Sequence, residues 1–373
     1  MTMQDTRPED TRTVDTRARY QLPPEAYFDP DWYAREQQLL FGRSYNLVGY
    51  EADIPEVGDY LTATVAGEPV VVVRGRDRAV RSYINVCRHR GIVIAAEAGH
   101  TDATLRCPYH GWEYGLDGRL ERVPQRRTQF PDVDIDALGL IPLAVGTWAG
   151  MIFAHLDVDA EPLESWLDDF VLQDRAGPYP WDQLVEVTRI NVPLACNWKL
   201  YIENHIDIYH LWYLHSQSLA AYDHPRHSWW DCAPHWAFYE PPRPGVSDSA
   251  QFARGFPRID HITSERWGSG AHLAFPNLPF ATGAAFFMTY QCIPRSPAHT
   301  MIDLRVRAAP SGSHDCAEFL AMVSTVLHAE DGAACERIQS AVASPMFAVG
   351  PLAYELERPI ASFHRSLGEA LTT

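Results

Sequence analysis

The chain has 373 residues, of which 46% are hydrophobic and 12% aromatic, so it is long enough for two domains with sizeable cores and is not a disordered protein. Its formal net charge of −17 argues against binding to nucleic acid or to an anionic membrane through bulk charge. The chain contains no stretch of about eighteen apolar residues, so we expect no transmembrane helix.

The first residues predict a polar leader. Met1 to Tyr20 are rich in Thr, Asp and Arg, and they lack the apolar region of a secretory signal. We therefore expect a flexible N-terminal leader over residues 1–24 and no secretion.

From about residue 45 onwards, short strand-like segments alternate with turn residues. Asp59–Val65 and Val70–Arg74 flank a Gly-Glu-Pro turn and predict a hairpin. Thr147–His155 predicts a closing strand. We expect a small all-β domain over residues 45–157.

Two short loops of this domain contain four potential metal ligands in the pattern C-x-H…C-x2-H, namely Cys87, His89, Cys107 and His110. This is the ligand set of a Rieske [2Fe–2S] cluster, in which two cysteines hold one iron and two histidines hold the other. The competing interpretation is a Cys₂His₂ zinc site. Zinc fingers place both cysteines in one loop, whereas each loop here supplies one cysteine and one histidine, which favours the cluster.

The other cysteines indicate the redox setting. Five remain after the cluster, an odd and scattered set that is typical of reduced core thiols in a cytoplasmic protein. They are Cys196, Cys232, Cys292, Cys316 and Cys335. The cluster loops lack the extra cysteine pair that forms a disulfide in high-potential Rieske proteins. We therefore expect a potential at the lower end of the Rieske range and electrons from a nicotinamide-driven reductase.

The rest of the chain predicts a mixed α+β domain formed by residues 25–44 and 158–373. The expected architecture is a helix-grip (START-like) domain with an antiparallel sheet and a long C-terminal helix over Ser313–Ala343. A loop over Pro241–Pro257 is expected to lie over a pocket. The other predicted elements are a helix over Glu161–Phe170 and strands over Val185–Pro193, Trp236–Tyr239, Ala271–Phe275, Ala284–Pro294 and Met301–Ala308.

A predicted helix over Asn197–Tyr213 introduces the second candidate metal site. Asp207 and His210 are three residues apart and face the same side of a helix. His215 lies five residues beyond His210, so both histidines reach one metal only if the helix widens or ends near Trp212. The alternative is that these are ordinary core or interface histidines.

A cluster needs an electron acceptor, and two histidines with one carboxylate are the usual ligands of non-heme Fe(II). Asp331 is the preferred carboxylate, although a solvated helix face would also explain it. Asp207 is better suited to accept the N–H of a metal-bound imidazole and fix its tautomer. Lesser candidates for the third ligand are Glu330, Asp260 and Asp315.

In combination, these residues resemble the catalytic α-subunit family of the Rieske non-heme iron oxygenases, over residues 25–370. The motifs that carry the resemblance are Cys87-x-His89…Cys107-x2-His110, Asn197-Trp198-Lys199, Glu203-Asn204, Asp207-x2-His210-x4-His215 and Glu330-Asp331.

The resemblance implies one [2Fe–2S] cluster and one mononuclear Fe(II) per subunit in a head-to-tail homotrimer. It implies that Asp207 bridges His210 to a cluster histidine of the neighbouring chain, most readily His110, and that Asp207 and Asn204 have catalytic roles. It also implies that NAD(P)H-derived electrons arrive through a separate reductase or ferredoxin, and that O₂ is used to hydroxylate or oxidatively demethylate a small substrate.

The expected substrate is mostly apolar, aromatic or terpenoid. An apolar pocket is predicted from the segment His272–Asn277 together with Phe280, Phe286, Phe287 and Met288, with plain sheet core as the alternative. A quaternary-amine monooxygenase of the choline, betaine or carnitine type is the second interpretation. It is less favoured because such enzymes often carry Glu at the position of Asp207. A Rieske electron carrier fused to a ligand-binding helix-grip module is the third.

Overall fold

The computed structural model describes residues 21–167, 183–246, 256–257, 259, 269–283, 285–310 and 317–372. Four of the predicted features lie wholly or partly outside these residues. They are most of the leader, the end of the Glu161–Phe170 helix, much of the Pro241–Pro257 loop, and the candidate ligands Asp260 and Asp315. Within the described ranges, none of the helices combines the length and apolar character that crossing a bilayer requires.

The N-terminal half is built on antiparallel strands, as predicted. Seven of them form one sheet in the order β1-β10-β9-β4-β3-β2-β5, and β6-β7-β8 form a smaller one. The predicted Asp59–Arg74 hairpin is confirmed as β2–β3. The strands are β1 Asn46–Tyr50, β2 Asp59–Val65, β3 Glu68–Arg74, β4 Val80–Ile84, β5 Gly99–His100, β6 Thr104–Arg106, β7 Glu113–Gly115, β8 Leu120–Arg122, β9 Pro142–Trp148 and β10 Met151–His155.

The single strand predicted over Thr147–His155 is wrong, because this segment belongs to a hairpin. Trp148 pairs with Met151 across a two-residue turn. Both turn residues, Ala149 and Gly150, have positive φ (54° and 74°), which is the conformation of a tight hairpin turn. The run of apolar residues conceals this turn because alanine is not a typical turn residue.

The C-terminal half contains a second seven-stranded antiparallel sheet, in the order β11-β17-β16-β15-β14-β13-β12. The five predicted strands are confirmed as β11, β13, β14, β16 and β17, whereas β12 and β15 were not predicted. The strands are β11 Val185–Leu194, β12 Ser228–Cys232, β13 His235–Glu240, β14 Ser269–Ala274, β15 Leu278–Thr282, β16 Phe286–Ser296 and β17 His299–Ala308.

Helices share one hydrophobic core with this sheet, which confirms the α+β helix-grip architecture. The predicted long helix is a continuous helical run that contains a π-helical segment, Thr325–Gly332, between α6 and α7. A further C-terminal helix, α8, was not predicted. The α-helices are α1 Pro30–Arg35, α2 Arg126–Gln129, α3 Leu163–Leu167, α4 Trp198–Ile206, α5 Leu211–Leu214, α6 Ala317–Ser324, α7 Ala333–Val342 and α8 Arg358–Thr372. A second π-helical turn spans Glu36–Leu40, and 3₁₀ turns span Pro24–Tyr27, Phe41–Arg43, Glu51–Asp53, Asp136–Leu138 and His224–Arg226.

The predicted helix over Asn197–Tyr213 is interrupted. Helix α4 ends at Ile206, because Asp207 has extended backbone angles (φ −74°, ψ 120°). The short helix α5 follows, with His210 and His215 at its two ends. The interruption therefore comes before His210, whereas the sequence predicted it near Trp212.

A fully buried ion pair fixes the start of α4. Lys199 Nζ lies 2.5 Å from Glu36 Oε1. The other Glu36 oxygen accepts a hydrogen bond from Trp198 Nε1 at 2.9 Å, and Trp32 Nε1 donates to Oε1 at 3.1 Å. Burial lowers the pKa of Lys199, and the Glu36 carboxylate opposes that shift. The pair links the N-terminal helical segment to α4 and so holds the helix that leads into the candidate metal site.

Replacing Lys199 with Met is expected to destabilise the catalytic half by about 3–5 kcal/mol, because Glu36 is left as a buried charge without its counter-ion. The double variant Glu36→Gln/Lys199→Met should recover most of this loss, since both charges are removed. Urea unfolding followed by circular dichroism measures both. A single variant as stable as the wild type would contradict the structural role of the pair.

Candidate active site

Two loops of the same shape carry the four predicted cluster ligands. In the first loop the Gly91 N–H donates to the Cys87 carbonyl at 3.0 Å, and in the second the Gly111 N–H donates to the Cys107 carbonyl at 3.1 Å. Both glycines have positive φ (74° and 70°), which a residue with a Cβ rarely adopts. Each loop therefore turns back at the same distance after its cysteine.

The two loops face each other through their histidines. Nδ1 of His89 lies 3.1 Å from Nδ1 of His110, and both side chains reach the surface. Cys87 and Cys107 are almost completely buried behind them. Two nitrogens bound to one metal at about 2.1 Å and roughly at right angles would be about 3 Å apart, so the histidines are already spaced as ligands of one iron.

A tyrosine that sequence reasoning missed lies directly against this site. The buried Tyr114 hydroxyl is 3.3 Å from Cys87 Sγ and accepts a hydrogen bond from the Arg88 N–H at 2.9 Å. Burial raises the pKa of Tyr114, so the hydroxyl keeps its proton and can donate a hydrogen bond to the sulfur. The spacing of ligand residues does not reveal such a contact, because the tyrosine is not itself a ligand.

The second predicted ligand set also converges. His210 Nε2 lies 3.0 Å from His215 Nε2, and Asp331 Oδ1 lies 2.9 Å from His215 Nε2 and 3.7 Å from His210 Nε2. Among the described residues these three form a group whose ligand atoms all lie within 4.8 Å of one another. The two histidines come from the ends of α5, and Asp331 comes from the π-helical segment.

The three side chains fit a shared metal ion. Although Asp331 Oδ1 is close to both Nε2 atoms, it is buried without a hydrogen bond of acceptable geometry within the described part of the chain. Ligands about 2.1 Å from one ion, at angles of about 90–120°, would be about 3.0–3.6 Å apart, which is close to the observed spacing. The donor set of two imidazoles and one carboxylate is the one that suits non-heme Fe(II).

Charges within the site compensate one another. Burial opposes protonation of His215, but the carboxylates of Asp331 and Glu330 outweigh it and raise the pKa of the imidazole. Burial would raise the pKa of Asp331, yet His215, His210 and the Asn204 side chain hold it below its usual value. The predicted catalytic residue Asn204 therefore lies beside the carboxylate of the candidate metal site.

Glu330, a lesser candidate for the third ligand, does not join the ligand group. Its Oε2 accepts hydrogen bonds from His215 Nδ1 at 2.8 Å and from Ser218 Oγ at 2.6 Å. It therefore contacts the opposite ring nitrogen to the one that faces Asp331. Neither this role for Glu330 nor the participation of Ser218 was predicted.

Asp207 lies beside the far ring nitrogen of His210, and the role of orienting this imidazole stays a prediction. Its Oδ2 is 3.4 Å from His210 Nδ1, which has no hydrogen bond within the described residues. The other oxygen, Oδ1, accepts the Tyr209 N–H at 2.6 Å. Asp207 thus stands next to His210 through the turn that follows α4, not along the face of one helix.

A cavity of about 150 Å³ opens beside the His210, His215 and Asp331 side chains. The predicted lining residues Phe286 and Met288 are part of its wall. The prediction is wrong for the others: Phe280 and Phe287 belong to a separate core cluster, and the segment His272–Asn277 does not line the cavity. Sheet alternation explains the difference, since neighbouring residues point to opposite faces.

Comparison with known families agrees with both halves of this description. Residues 44–140 match the family described as the Rieske [2Fe-2S] domain, which implies a [2Fe–2S] cluster and disfavours the zinc interpretation. Residues 181–373 match the family described as the ring hydroxylating alpha subunit (catalytic domain), a family whose catalytic domain binds mononuclear iron.

The chain is also similar to curated relatives and to a solved structure. The chain is 38% identical over 209 residues to the glycine betaine monooxygenase oxygenase subunit of Chromohalobacter salexigens, covering 55% of this chain and 46% of that protein. It is 34% identical over 221 residues to biphenyl dioxygenase subunit alpha of Paraburkholderia xenovorans, covering 54% and 46%. The matches thus span about half the length of these curated relatives.

The quaternary ammonium Rieske monooxygenase CntA, solved with an inhibitor, shares the fold. The TM-score is 0.81 at 20% sequence identity, with 95% of this chain and 97% of that chain covered. The ligand motifs, the two sheets with their helices and the matched family models agree with one another. The chain belongs to the ring-hydroxylating alpha-subunit family and carries a Rieske [2Fe–2S] domain in front of the catalytic domain.

Proposed function

We propose that this protein is the oxygenase component of a Rieske non-heme iron monooxygenase or dioxygenase. It uses O₂ and NAD(P)H-derived electrons, delivered by a separate reductase or ferredoxin, to hydroxylate or oxidatively demethylate a small organic substrate. The observation that carries the proposal is the convergence of His210, His215 and Asp331 on one point at the wall of a cavity. An electron carrier fused to a ligand-binding module would not need this second ligand set.

The proposed ligand roles follow from the two sites. Cys87, His89, Cys107 and His110 hold the [2Fe–2S] cluster, and His210, His215 and Asp331 hold Fe(II). When bound, the cluster would supply one-electron transfer and the Fe(II) ion would supply the activation of O₂. Among the described residues three protein ligands converge on the second site, and such a three-ligand set leaves coordination positions open for O₂ and substrate.

The chain's own side chains prepare the second site. Glu330 accepts a hydrogen bond from the Nδ1–H of His215, which leaves Nε2, on the side of Asp331, as the nitrogen that can bind a metal. Asn204 favours the ionised form of Asp331. Apolar side chains from the sheet and the helical run line the cavity and limit access of water.

Two exposed apolar patches support a head-to-tail trimer. One follows Asp207 in the chain and consists of Tyr209, Trp212 and Tyr213, the last of which is 91% exposed. The other lies in the two loops that carry the cluster histidines and consists of Ile92, Val93 and Tyr109. Exposed apolar groups at both redox sites suit an interface in which the cluster edge of one chain covers Asp207 of the next. Asp207 would then connect His110 of one chain to His210 of its neighbour.

Two substrate classes are predicted, a mostly apolar aromatic or terpenoid compound and a quaternary amine. By their names, the two relatives act on glycine betaine and on biphenyl. An engineered cavity of about 150 Å³ in another protein holds a single benzene ring, so a small substrate fits best. A cytoplasmic location stays a prediction.

Complementation between two inactive variants tests the proposed function. His210→Ala removes a ligand of the mononuclear iron, and Cys107→Ser removes a ligand of the cluster, so each variant alone should fail to form product. Co-expressed with two different tags and purified through both, the mixed oligomer should recover a substantial fraction of the wild-type activity, because electrons cross from one chain to the other. Iron content and the visible spectrum confirm which site each variant retains.

Absence of product from a mixed oligomer that retains both kinds of site would contradict electron transfer between chains. Product from the His210→Ala variant alone would contradict the assignment of the mononuclear site.

Replacing Tyr114 with Phe is expected to lower the reduction potential of the cluster. The hydroxyl donates to Cys87 Sγ and stabilises the more negative reduced form, so its loss should shift the potential by roughly 50 mV. Spectroscopic redox titration measures the shift. Tyr109→Phe is the control, because it removes an exposed hydroxyl in the cluster loop that has no hydrogen bond within the described residues. Equal potentials in both variants would refute the contact.

Replacing Glu330 with Gln is expected to weaken Fe(II) binding about 10–100-fold, because the carboxylate that orients His215 and increases its basicity is lost. Competition with a chelator measures the affinity, and the cluster absorbance should not change. Glu336→Gln is the matched control: Glu336 lies on the same helical run and accepts the Ala195 N–H, away from the ligand group. If both variants bind iron like the wild type, Glu330 does not position His215.

A further inference from the structure

A buried carboxylate lines the cavity away from the proposed iron ligands. Trp236, Phe238 and Glu240 alternate along β13 and all three line the cavity. Glu240 is only 3% exposed. It is not part of the group formed by His210, His215 and Asp331, so the iron site leaves its role unexplained.

Within the described residues, one of the two Glu240 oxygens has a hydrogen-bond partner. Oε2 accepts a hydrogen bond from Nδ1 of His224 at 2.6 Å, and both side chains are more than nine-tenths buried. The other oxygen, Oε1, makes no hydrogen bond to any residue in the described ranges. Glu240 as a whole is a buried carboxylate, and an occupant of the cavity that compensates its charge would lower the cost of burying it.

The charges that face the cavity favour a cation. Within the described residues, the lining contains the carboxylates of Asp207, Glu240 and Asp331 but neither lysine nor arginine. Burial lowers the pKa of the lining imidazole His205 to about 4, so it is neutral near pH 7. Asp331 is compensated by His215 and the metal site, whereas Glu240 has His224 as its partner on one side only.

Aromatic rings surround the same carboxylate. Trp236 and Phe238 precede it on the same face of β13, with ring planes 8° apart and centroids 5.7 Å apart. Tyr222 and Tyr290 also line the cavity. The faces of aromatic rings attract cations, including alkylated ammonium groups that cannot donate hydrogen bonds.

We propose that Glu240, with Trp236 and Phe238, forms a binding subsite for an organic cation, and that the substrate is a small alkylammonium compound. This inference rests on the proposed oxygenase function, since it concerns the substrate of the same cavity. The ammonium group contacts Glu240 and the aromatic faces, and its alkyl carbons occupy the remaining space towards the iron ligands. The volume of about 150 Å³ restricts the substrate to few atoms beyond that group.

Equilibrium binding of two isosteric probes to the iron-loaded holoenzyme tests the subsite. Choline carries a trimethylammonium group, and 3,3-dimethyl-1-butanol has a neutral carbon in place of the nitrogen. Calorimetry without O₂ should show that the wild type binds choline at least tenfold more tightly. Glu240→Gln, which keeps the side-chain length and an oxygen for His224, should weaken choline binding at least tenfold and leave the neutral probe within about threefold.

Two further variants separate the subsite from general effects. Phe238→Leu removes one aromatic face and should reduce the preference for choline severalfold while the neutral probe binds as before. Glu186→Gln makes the same change of net charge on β11, outside the cavity, and should leave the binding of both probes unchanged.

Several results would overturn the inference. The first is failure of the wild type to bind choline at millimolar concentration, and the second is equal binding of the two probes. The third is equal weakening of both probes by Glu240→Gln, because that result would show that Glu240 only ties β13 to the His224 turn. The binding measurement needs no turnover. Failed complementation would therefore refute the oxygenase function without changing the binding result for the cation subsite. Conversely, turnover of a neutral aromatic compound without choline binding would uphold the oxygenase and refute the cation subsite.

Discussion

The candidate iron site depends on two helical segments that both leave regular α-helical geometry at the same place. On an ideal helix, residues five apart such as His210 and His215 point about 140° away from each other. The extended backbone of Asp207 ends α4, and the short helix α5 then carries the histidines on its two ends so that their Nε2 atoms lie 3.0 Å apart. Asp331 approaches from a π-helical segment, a local irregularity that is common at functional sites.

Buried polar contacts hold these irregular segments in place. At the start of α4, the Glu36–Lys199 pair satisfies two charges that would otherwise be costly to bury. Next to Asp331, Gly332 is required, because a Cβ there would come within 2.3 Å of the Leu327 carbonyl oxygen. Glu330 and Asp207 then flank the outer ring nitrogens of His215 and His210, so each imidazole has its own carboxylate. The ligand geometry thus results from contacts that surround the ligands.

The ligand residues that the sequence predicted come together in the structure, because ligand spacing is encoded within short segments. Cys87 and His89, or His210 and His215, lie close in the chain, and their residue types restrict the metals they suit. Alternation of apolar residues likewise predicted five strands of the catalytic sheet. The interruption of the helix at Asp207 was not predicted, because the apolar pattern continues through this position and neither proline nor glycine stands there.

Contacts between distant segments were beyond the reach of sequence patterns. Tyr114 and Cys87 are 27 residues apart, and Glu330 and His215 are 115 residues apart. The presence of a tyrosine or a glutamate at these positions does not indicate which atom its side chain will contact. The same holds for Glu240, which looks like an ordinary charged residue at a strand end until its burial and its contact with His224 are seen. Residues proposed to adjust a metal site or to select the substrate are therefore harder to predict from the sequence than the proposed metal ligands.

The central claim is that one chain holds two separate iron sites, a cluster in the first sheet's loops and a mononuclear ion at the ends of α5. Mössbauer spectroscopy of the reduced, iron-57-enriched protein tests it most directly. We expect about three irons per chain, with roughly one third as a mononuclear high-spin ferrous component that disappears in Asp331→Ala while the cluster signal stays. A spectrum in which all iron belongs to the cluster, or a ferrous component that survives the loss of Asp331, would contradict it.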